Sequence, residues 1–211
     1  MTAPAAGQRL AILVHEVRSP VAALAAVAEA HRSEGLEPEA RRSLVQLALA
    51  ACRAIDRLVA DATVASVRLE PVDLGGVVSE TVAAARLRAP TVRAVVEPRL
   101  PIVDADALRI RQALDNLVAN ALTHGGGGEI VVHAYVREHE LLLAVSDSGP
   151  GIRADDQERL FEAGVRLDSA RPGSGLGLAV VRAIADAHRA SLSVDSAPGR
   201  GATFTLAFPL D

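Results

Sequence analysis

Glycine is distributed very unevenly along this chain, and that asymmetry constrains the fold more than any other feature. Of the 16 glycines in 211 residues, only Gly7 and Gly35 precede residue 70. Glycine weakens helix interiors but permits tight turns and close backbone approach. The chain is therefore expected to divide near residue 70, into a helical domain at residues 1–68 and a glycine-rich domain at residues 69–211.

The first part carries a helical period. Leu10, Leu13, Val17, Pro20, Leu24 and Val27 recur at steps of three and four. With Leu10 at heptad position a they fill a and d, and Val14 and Val21 fill e. The stretch Glu34–Pro38 breaks the pattern, since Gly ends one helix and Pro begins the next. Leu44, Leu47, Ala51, Ala54 and Leu58 then repeat it, with Ala48, Ile55 and Ala62 alongside. One hairpin cannot cover both its stripes. A second copy can, so residues 7–68 are expected to form a homodimer as a four-helix bundle.

His15 falls at heptad position f, facing away from the seam, and Glu16 follows it. Pro20 stands four residues beyond Glu16, where its ring crowds that residue's carbonyl and should bend the helix. Two readings stay open. His15 and Glu16 are an ordinary exposed pair beside a tolerated kink, or His15 is a nucleophile with a carboxylate beside it to orient it and take its proton.

The second part alternates strands and helices. Glu70–Leu74 reads as a linker and short strand, 74–88 as helix and 91–97 as extended chain. Asp106 is placed to N-cap a helix through RIRQALDNLVANALTH, which the run Gly125–Gly128 ends. Residues 129–137 and 141–147 read as a hairpin. Residues 152–174 are polar and mostly irregular, a length that suggests a movable lid. A helix at 176–188 follows, and ASLSVD and ATFTLAFPL close the domain around the turn APGRG. The fold class expected is α+β, a mixed and mainly antiparallel sheet with helices on one face, an α/β sandwich following the helical hairpin.

Composition excludes several classes. A net charge of −4 offers no general attraction to nucleic acid or an anionic membrane. Cys52 is the single cysteine, so neither an internal disulfide nor a cysteine-rich zinc site can form. No apolar run reaches the ~20 residues a membrane span needs. The start MTAPAAGQRL has no basic region followed by a long apolar core. A reducing, cytoplasmic setting is expected.

Three stretches of the glycine-rich part carry chemistry. Asn116 and Asn120 share one helix face, either a solvated face or hard oxygen ligands for Mg²⁺. Asp147 ends an apolar strand before Ser148, Gly149, Pro150 and Gly151. That segment is a plain turn, or an acceptor for an amino group of a base that the glycines let come close. Gly173, Ser174, Gly175, Leu176, Gly177 and Leu178 precede an apolar helix. They form a flexible loop, or a helix N-terminus whose N–H groups bind phosphates. The spacing is not that of a dinucleotide fingerprint, and no P-loop lysine is present.

Taken in order, HEVRSP, NLVAN, DSGPG, RLFE, GSGLGL and GRGATF resemble the motifs of the two-component sensor histidine kinase family. The resemblance extends from about residue 8 to 210. It implies a dimerisation and phosphoacceptor hairpin, then an ATP-binding domain of the type shared with Hsp90 chaperones and DNA gyrase. His15 would be phosphorylated from ATP with Glu16 assisting, and the phosphoryl group would pass to an Asp of a response regulator receiver domain. Asn120 would ligate Mg²⁺, with Asn116 in the same site and His124 stacking on adenine. Asp147 would bind the adenine amino group, with Gly149 and Gly151 shaping its pocket. Gly173, Gly175, Leu176, Gly177 and Leu178 would hold the phosphates, and Arg166 would reach the γ-phosphate. Phe161 matches the phenylalanine box, and Thr203 and Phe204 would lie beside the adenine pocket. Related ATPases carry a water-activating Glu where this chain has Asn116, and Asp115 is one residue off that face.

The chain departs from the family in places. Thr123 stands where a cation is usual and His124 where an aromatic is usual. Gly164 and Val165 replace bulkier lid residues. Ser19 stands where Thr or Asn is common in members with phosphatase activity. The alternative reading is a histidine phosphotransferase with a degenerate ATP-binding domain. A serine kinase of the anti-sigma type shares the ATP domain, but HEVRSP and the 60-residue hairpin argue against it.

Overall fold

Proline and aspartate mark where the helices begin. The computed structural model describes residues 20–30, 38–64, 67–162, 165 and 177–210, in two compact units, Met1–Ala62 and Thr63–Asp211. Residues 20–30 form α1 and Pro38–Val64 form α2, whose last two residues fall in the second unit. Pro38 opens α2, the position where a residue without an N–H is tolerated, and Glu39 follows in the first turn.

Leu44, Ala48, Ala51 and Ile55 make the more covered stripe of α2, as Pro20, Leu24 and Val27 do on α1. Leu47, assigned to the seam by its heptad position, is 45% exposed in the single chain, where no second copy covers it. Val45 and Leu49, one turn apart and on the far side of α2 from Leu47, are 53% and 45% exposed. The stripe residues Leu10 to Val17, the side chains of Ala54, Leu58 and Ala62, and the bend expected at Glu16–Pro20 lie outside the described residues.

In the second unit two aspartates start two helices. Asp73 accepts a 2.9 Å bond from the Gly75 N–H and caps α3, Leu74–Arg86. Asp106 accepts from the Arg109 N–H at 3.2 Å and caps α4, Ala107–His124, as its sequence position predicts. Asp106 Oδ2 also accepts from the Arg68 N–H at 3.0 Å. The Asp106 N–H in turn donates to Nε2 of the buried His188 at 2.9 Å. His188 Nδ1 lies 2.7 Å from the Ile184 carbonyl. The ring is therefore the neutral tautomer that donates from Nδ1 and accepts at Nε2.

The strands are β1 (Glu70–Val72), β2 (Val92–Val96), β3 (Val103–Ala105), β4 (Ile130–Arg137), β5 (Glu140–Asp147), β6 (Ser191–Ser196) and β7 (Ala202–Pro209). β1 and β3 form a small antiparallel pair. β3 is absent from the sequence expectation, because three residues are too few to show alternation. The main sheet runs β2-β4-β5-β7-β6, with β2 parallel to β4 and every other pair antiparallel. This is the mixed, mainly antiparallel sheet expected.

Alternation gives the sheet one apolar face. Ile130, Val132 and Ala134 of β4, Leu141, Leu143 and Val145 of β5, and Ala202, Phe204, Leu206 and Phe208 of β7 are buried with residues of α3, α4 and α6 (Gly177–Ala187). The opposite face carries His133 and Tyr135, their rings 4.3 Å apart. The segment expected to be irregular contains one turn of helix, α5 (Ala154–Gln157). Among the described residues no helix is long and apolar enough to cross a membrane.

Candidate functional site

The helical period brings Asn116, Asn120 and His124 onto one face of α4, each half-buried, while Asp115 is turned to solvent. The first residue of α6 meets that face. A Cβ on Gly177 would lie 3.7 Å from Asn116 Cβ and 3.9 Å from its Oδ1. The N-terminus of α6 and the asparagine pair therefore adjoin, although 61 positions separate Asn116 from Gly177 in the chain. Leu178 packs on the core.

The other end of α4 adjoins the end of β5. A Cβ on Gly125 would come within 2.8 Å of Asp147 Cβ. Asp147 Oδ1 accepts from the Gly149 N–H at 2.8 Å. Gly149 is pressed against the helix end, where a Cβ would lie 2.7 Å from the His124 carbonyl and 2.8 Å from Gly125 Cα. Only glycine fits there, so the carboxylate of Asp147 and the end of α4 share one wall. Gly151 has φ +72° and lies against the Ala197 carbonyl, which no side chain would allow.

The turn from Asp147 to Ile152 is laced to the β6–β7 turn. Gly199 N–H donates to the Pro150 carbonyl at 2.7 Å and Gly201 N–H to the Gly149 carbonyl at 3.1 Å. Ile152 N–H donates to Ser196 Oγ at 2.9 Å, and Ser196 Oγ donates to the Gly201 carbonyl at 2.5 Å. Gln157 Nε2 donates to the carbonyls of Ile152 at 3.1 Å and Ser196 at 2.9 Å. Sequence reasoning missed Gln157 and Ser196, which carry no motif that singles them out. Phe161 follows and meets Phe204 edge to face, ring centroids 6.3 Å apart.

Thr203 does not join this assembly. Asp147 pairs with Ala202 in the β5–β7 ladder, and both lie in the row one step from Thr203. Thr203 therefore faces the opposite side of the sheet, with Oγ1 2.9 Å from Ser146 Oγ. The residue that shares the row of Asp147 is Ala202, which brings a methyl group and no hydroxyl. Thr123 donates its hydroxyl to the Ala119 carbonyl at 2.8 Å. His15, Glu16, Ser19, Gly164, Arg166, Gly173, Gly175 and Leu176 lie outside the described residues.

The arrangement suits a nucleotide. Asp147 is an acceptor for an amino group in a wall that glycines keep narrow, and an α-helix N-terminus with glycine at its first position suits phosphate. Among the described residues no group of three His, Cys, Asp or Glu side chains could hold a metal. The hard donors near the phosphate position are the amide oxygens of Asn116 and Asn120, which fit Mg²⁺ shared with phosphate oxygens.

Comparisons with known proteins give the family and the overall fold. The family model described as "Histidine kinase-, DNA gyrase B-, and HSP90-like ATPase" matches residues 105–211. The sensor-like histidine kinase SenX3 of Mycolicibacterium smegmatis is 32% identical over 211 residues, covering 92% of this chain and 55% of the relative. The chain spans about half the length of the curated relatives it matches first. Full-length ShkA in complex with AMPPNP aligns over 96% of this chain and 45% of its own, with TM-score 0.69 and 28% identity. The histidine kinase domain of the E. coli osmosensor EnvZ covers 69% of this chain and 91% of its own, with TM-score 0.56 and 32% identity.

Proposed function

The chain belongs to the two-component sensor histidine kinase family, and on that premise we propose that it autophosphorylates on His15 from ATP–Mg²⁺ and passes the phosphoryl group to an Asp of a response regulator. The observation that carries the nucleotide half of this reading is the junction of α4 with its two neighbours. Asn116 meets Gly177 at the start of α6, and His124 meets Gly149 beside Asp147. One helix face thus spans from the phosphate end of a nucleotide to its base.

In the proposed reaction Asp147 accepts from the adenine amino group, and the N–H groups opening α6 hold phosphate oxygens. Asn120, with Asn116 beside it, would hold Mg²⁺, which neutralises phosphate charge as it develops. A nitrogen of the His15 imidazole forms a bond to the γ-phosphorus as the bond to the β-phosphate bridging oxygen breaks and ADP departs. Glu16 takes the imidazole proton. Positioning and charge stabilisation supply most of the acceleration. An Asp carboxylate of the regulator then attacks the phosphoryl group, and the P–N bond breaks. Asn116 lacks the basicity to activate water, which preserves the γ-phosphate for His15.

The domain division at residue 68 and the homodimer belong to the same proposal. Leu47, on the a/d stripe of α2, is 45% exposed in the single chain, which supports a second copy covering it in a four-helix bundle. A cytoplasmic setting suits ATP and a receiver domain, and no role for nucleic acid is proposed.

A second reading is the phosphotransferase, favoured by Ala202 where a hydroxyl would stand beside Asp147 and by Thr123 where a cation is usual. Incubation with γ-labelled ATP and Mg²⁺, wild type against His15→Gln, decides between them. Acid-labile, base-stable label on wild type alone is the expected result. Absence of label on a folded dimer would favour the phosphotransferase.

A further inference from the structure

We infer that Gln157, with Ser196, is a positioning residue that sets the depth of the Asp147–Ile152 turn against the base of the nucleotide. The inference rests on the nucleotide reading above and adds two residues to it. Four backbone groups of this turn are tied down. The Gly149 and Pro150 carbonyls are held by N–H groups of Gly201 and Gly199. The Ile152 N–H is held by the Ser196 hydroxyl and the Ile152 carbonyl by the Gln157 amide. Ser196 and Gln157 are the side chains that bridge the two segments, so they are where a substitution can reach the clasp.

Gln157 ends α5, three residues before the buried Leu160 and four before Phe161. These apolar contacts fix the chain that follows the turn. The Gln157 amide fixes the turn itself, through two carbonyls that belong to residues 44 positions apart in the chain, Ile152 and Ser196. Both bonds use the same NH₂ group, so the residue acts as a donor at this point. A Glu at position 157 keeps the shape but offers only acceptors at neutral pH, facing two carbonyl oxygens. The turn would move away from them, taking Gly149 and the Asp147 carboxylate it braces. Ser196 is the complement, accepting from Ile152 and donating to Gly201, so Thr preserves the role and Ala removes it.

The test uses the full chain with four variants, Gln157→Glu, Gln157→Ala, Ser196→Ala and Ser196→Thr. Affinity for a non-hydrolysable ATP analogue with Mg²⁺ is measured by calorimetry, and amide exchange is followed at Gly149 and Ile152. Gln157→Glu and Ser196→Ala should weaken binding about tenfold, the scale of one or two net hydrogen bonds. Gln157→Ala should fall between them and wild type, and Ser196→Thr should bind as wild type does. Exchange at Gly149 and Ile152 should quicken in the weak variants while α4 and β4 amides stay protected. Wild-type affinity in Gln157→Glu would overturn the inference, and so would loss of protection throughout the unit. The exchange arm needs no nucleotide. If wild type bound no analogue, the nucleotide reading would fall, while quickened exchange at Gly149 and Ile152 alone would still establish the clasp.

Discussion

Ala202 stands opposite Asp147 in the β5–β7 ladder, and Thr203, the next residue, turns its hydroxyl to the other face of the sheet, 2.9 Å from Ser146 Oγ. Thr203→Val should therefore leave affinity for an ATP analogue within about twofold of wild type, as a substitution away from a site does. Ala202→Ser should change that affinity, because its hydroxyl enters the Asp147 row. Equilibrium binding of the two variants checks this. A large loss in Thr203→Val alone would mean that the strand presents the other face to the nucleotide.

The glycines of the site are not equivalent. Gly149→Ala should destabilise the ATP-binding unit by about 1–3 kcal/mol, the range for forcing atoms into a packed site, since its Cβ would press on the His124 carbonyl. Gly177→Ala meets only ordinary contacts with Asn116 and should stay within about 0.5 kcal/mol of wild type. Urea unfolding followed by circular dichroism separates the two.

Asp106 carries a pH-dependent term. Burial alone would raise its pKa, but the N–H groups of Arg68, Arg109 and Leu108 and the charge of Arg109 hold it below its ordinary value of 3.8. A depressed carboxylate contributes stability that is complete above the unfolded-state pKa and is lost as pH falls through the folded-state value. Arg68 and Arg109 bond to different oxygens of Asp106, and Asp106→Asn sets an NH₂ group against one of those N–H groups. It should be about 1 kcal/mol less stable than wild type at pH 7, typical of a weakened cap. That gap should narrow as pH falls below 3.8, and a gap independent of pH would contradict the ionised cap.

The proposed dimer makes a prediction about α2. Leu47→Glu and Leu47→Lys each place a charge on the a/d stripe that a second copy would cover, and burying an unpaired charge is costly. Both should move the protein from dimer to monomer in sedimentation equilibrium, while the ATP-binding unit keeps its affinity for nucleotide. Unchanged association would show that this stripe is not the interface.

Much of this protein is legible without a structure because the signals are local. Asp106 caps α4 through the residue three positions on, and the period of Asn116 and Asn120 is the helix's own. The glycines beside Asp147 mark a turn by type alone, and the order of six short motifs points to the family. Tertiary structure decided the rest. Whether Thr203 or Ala202 shares the row of Asp147 depends on strand register, and one residue of slip moves every side chain to the other face. The parallel pairing of β2 with β4, the meeting of Gly177 with Asn116, and the clasp between Gln157 and Ser196 join residues far apart in the chain. Such contacts leave no periodicity to read. They form because α4, α6 and the sheet bury their apolar faces against one another, and that packing sets which distant polar groups come within hydrogen-bond reach.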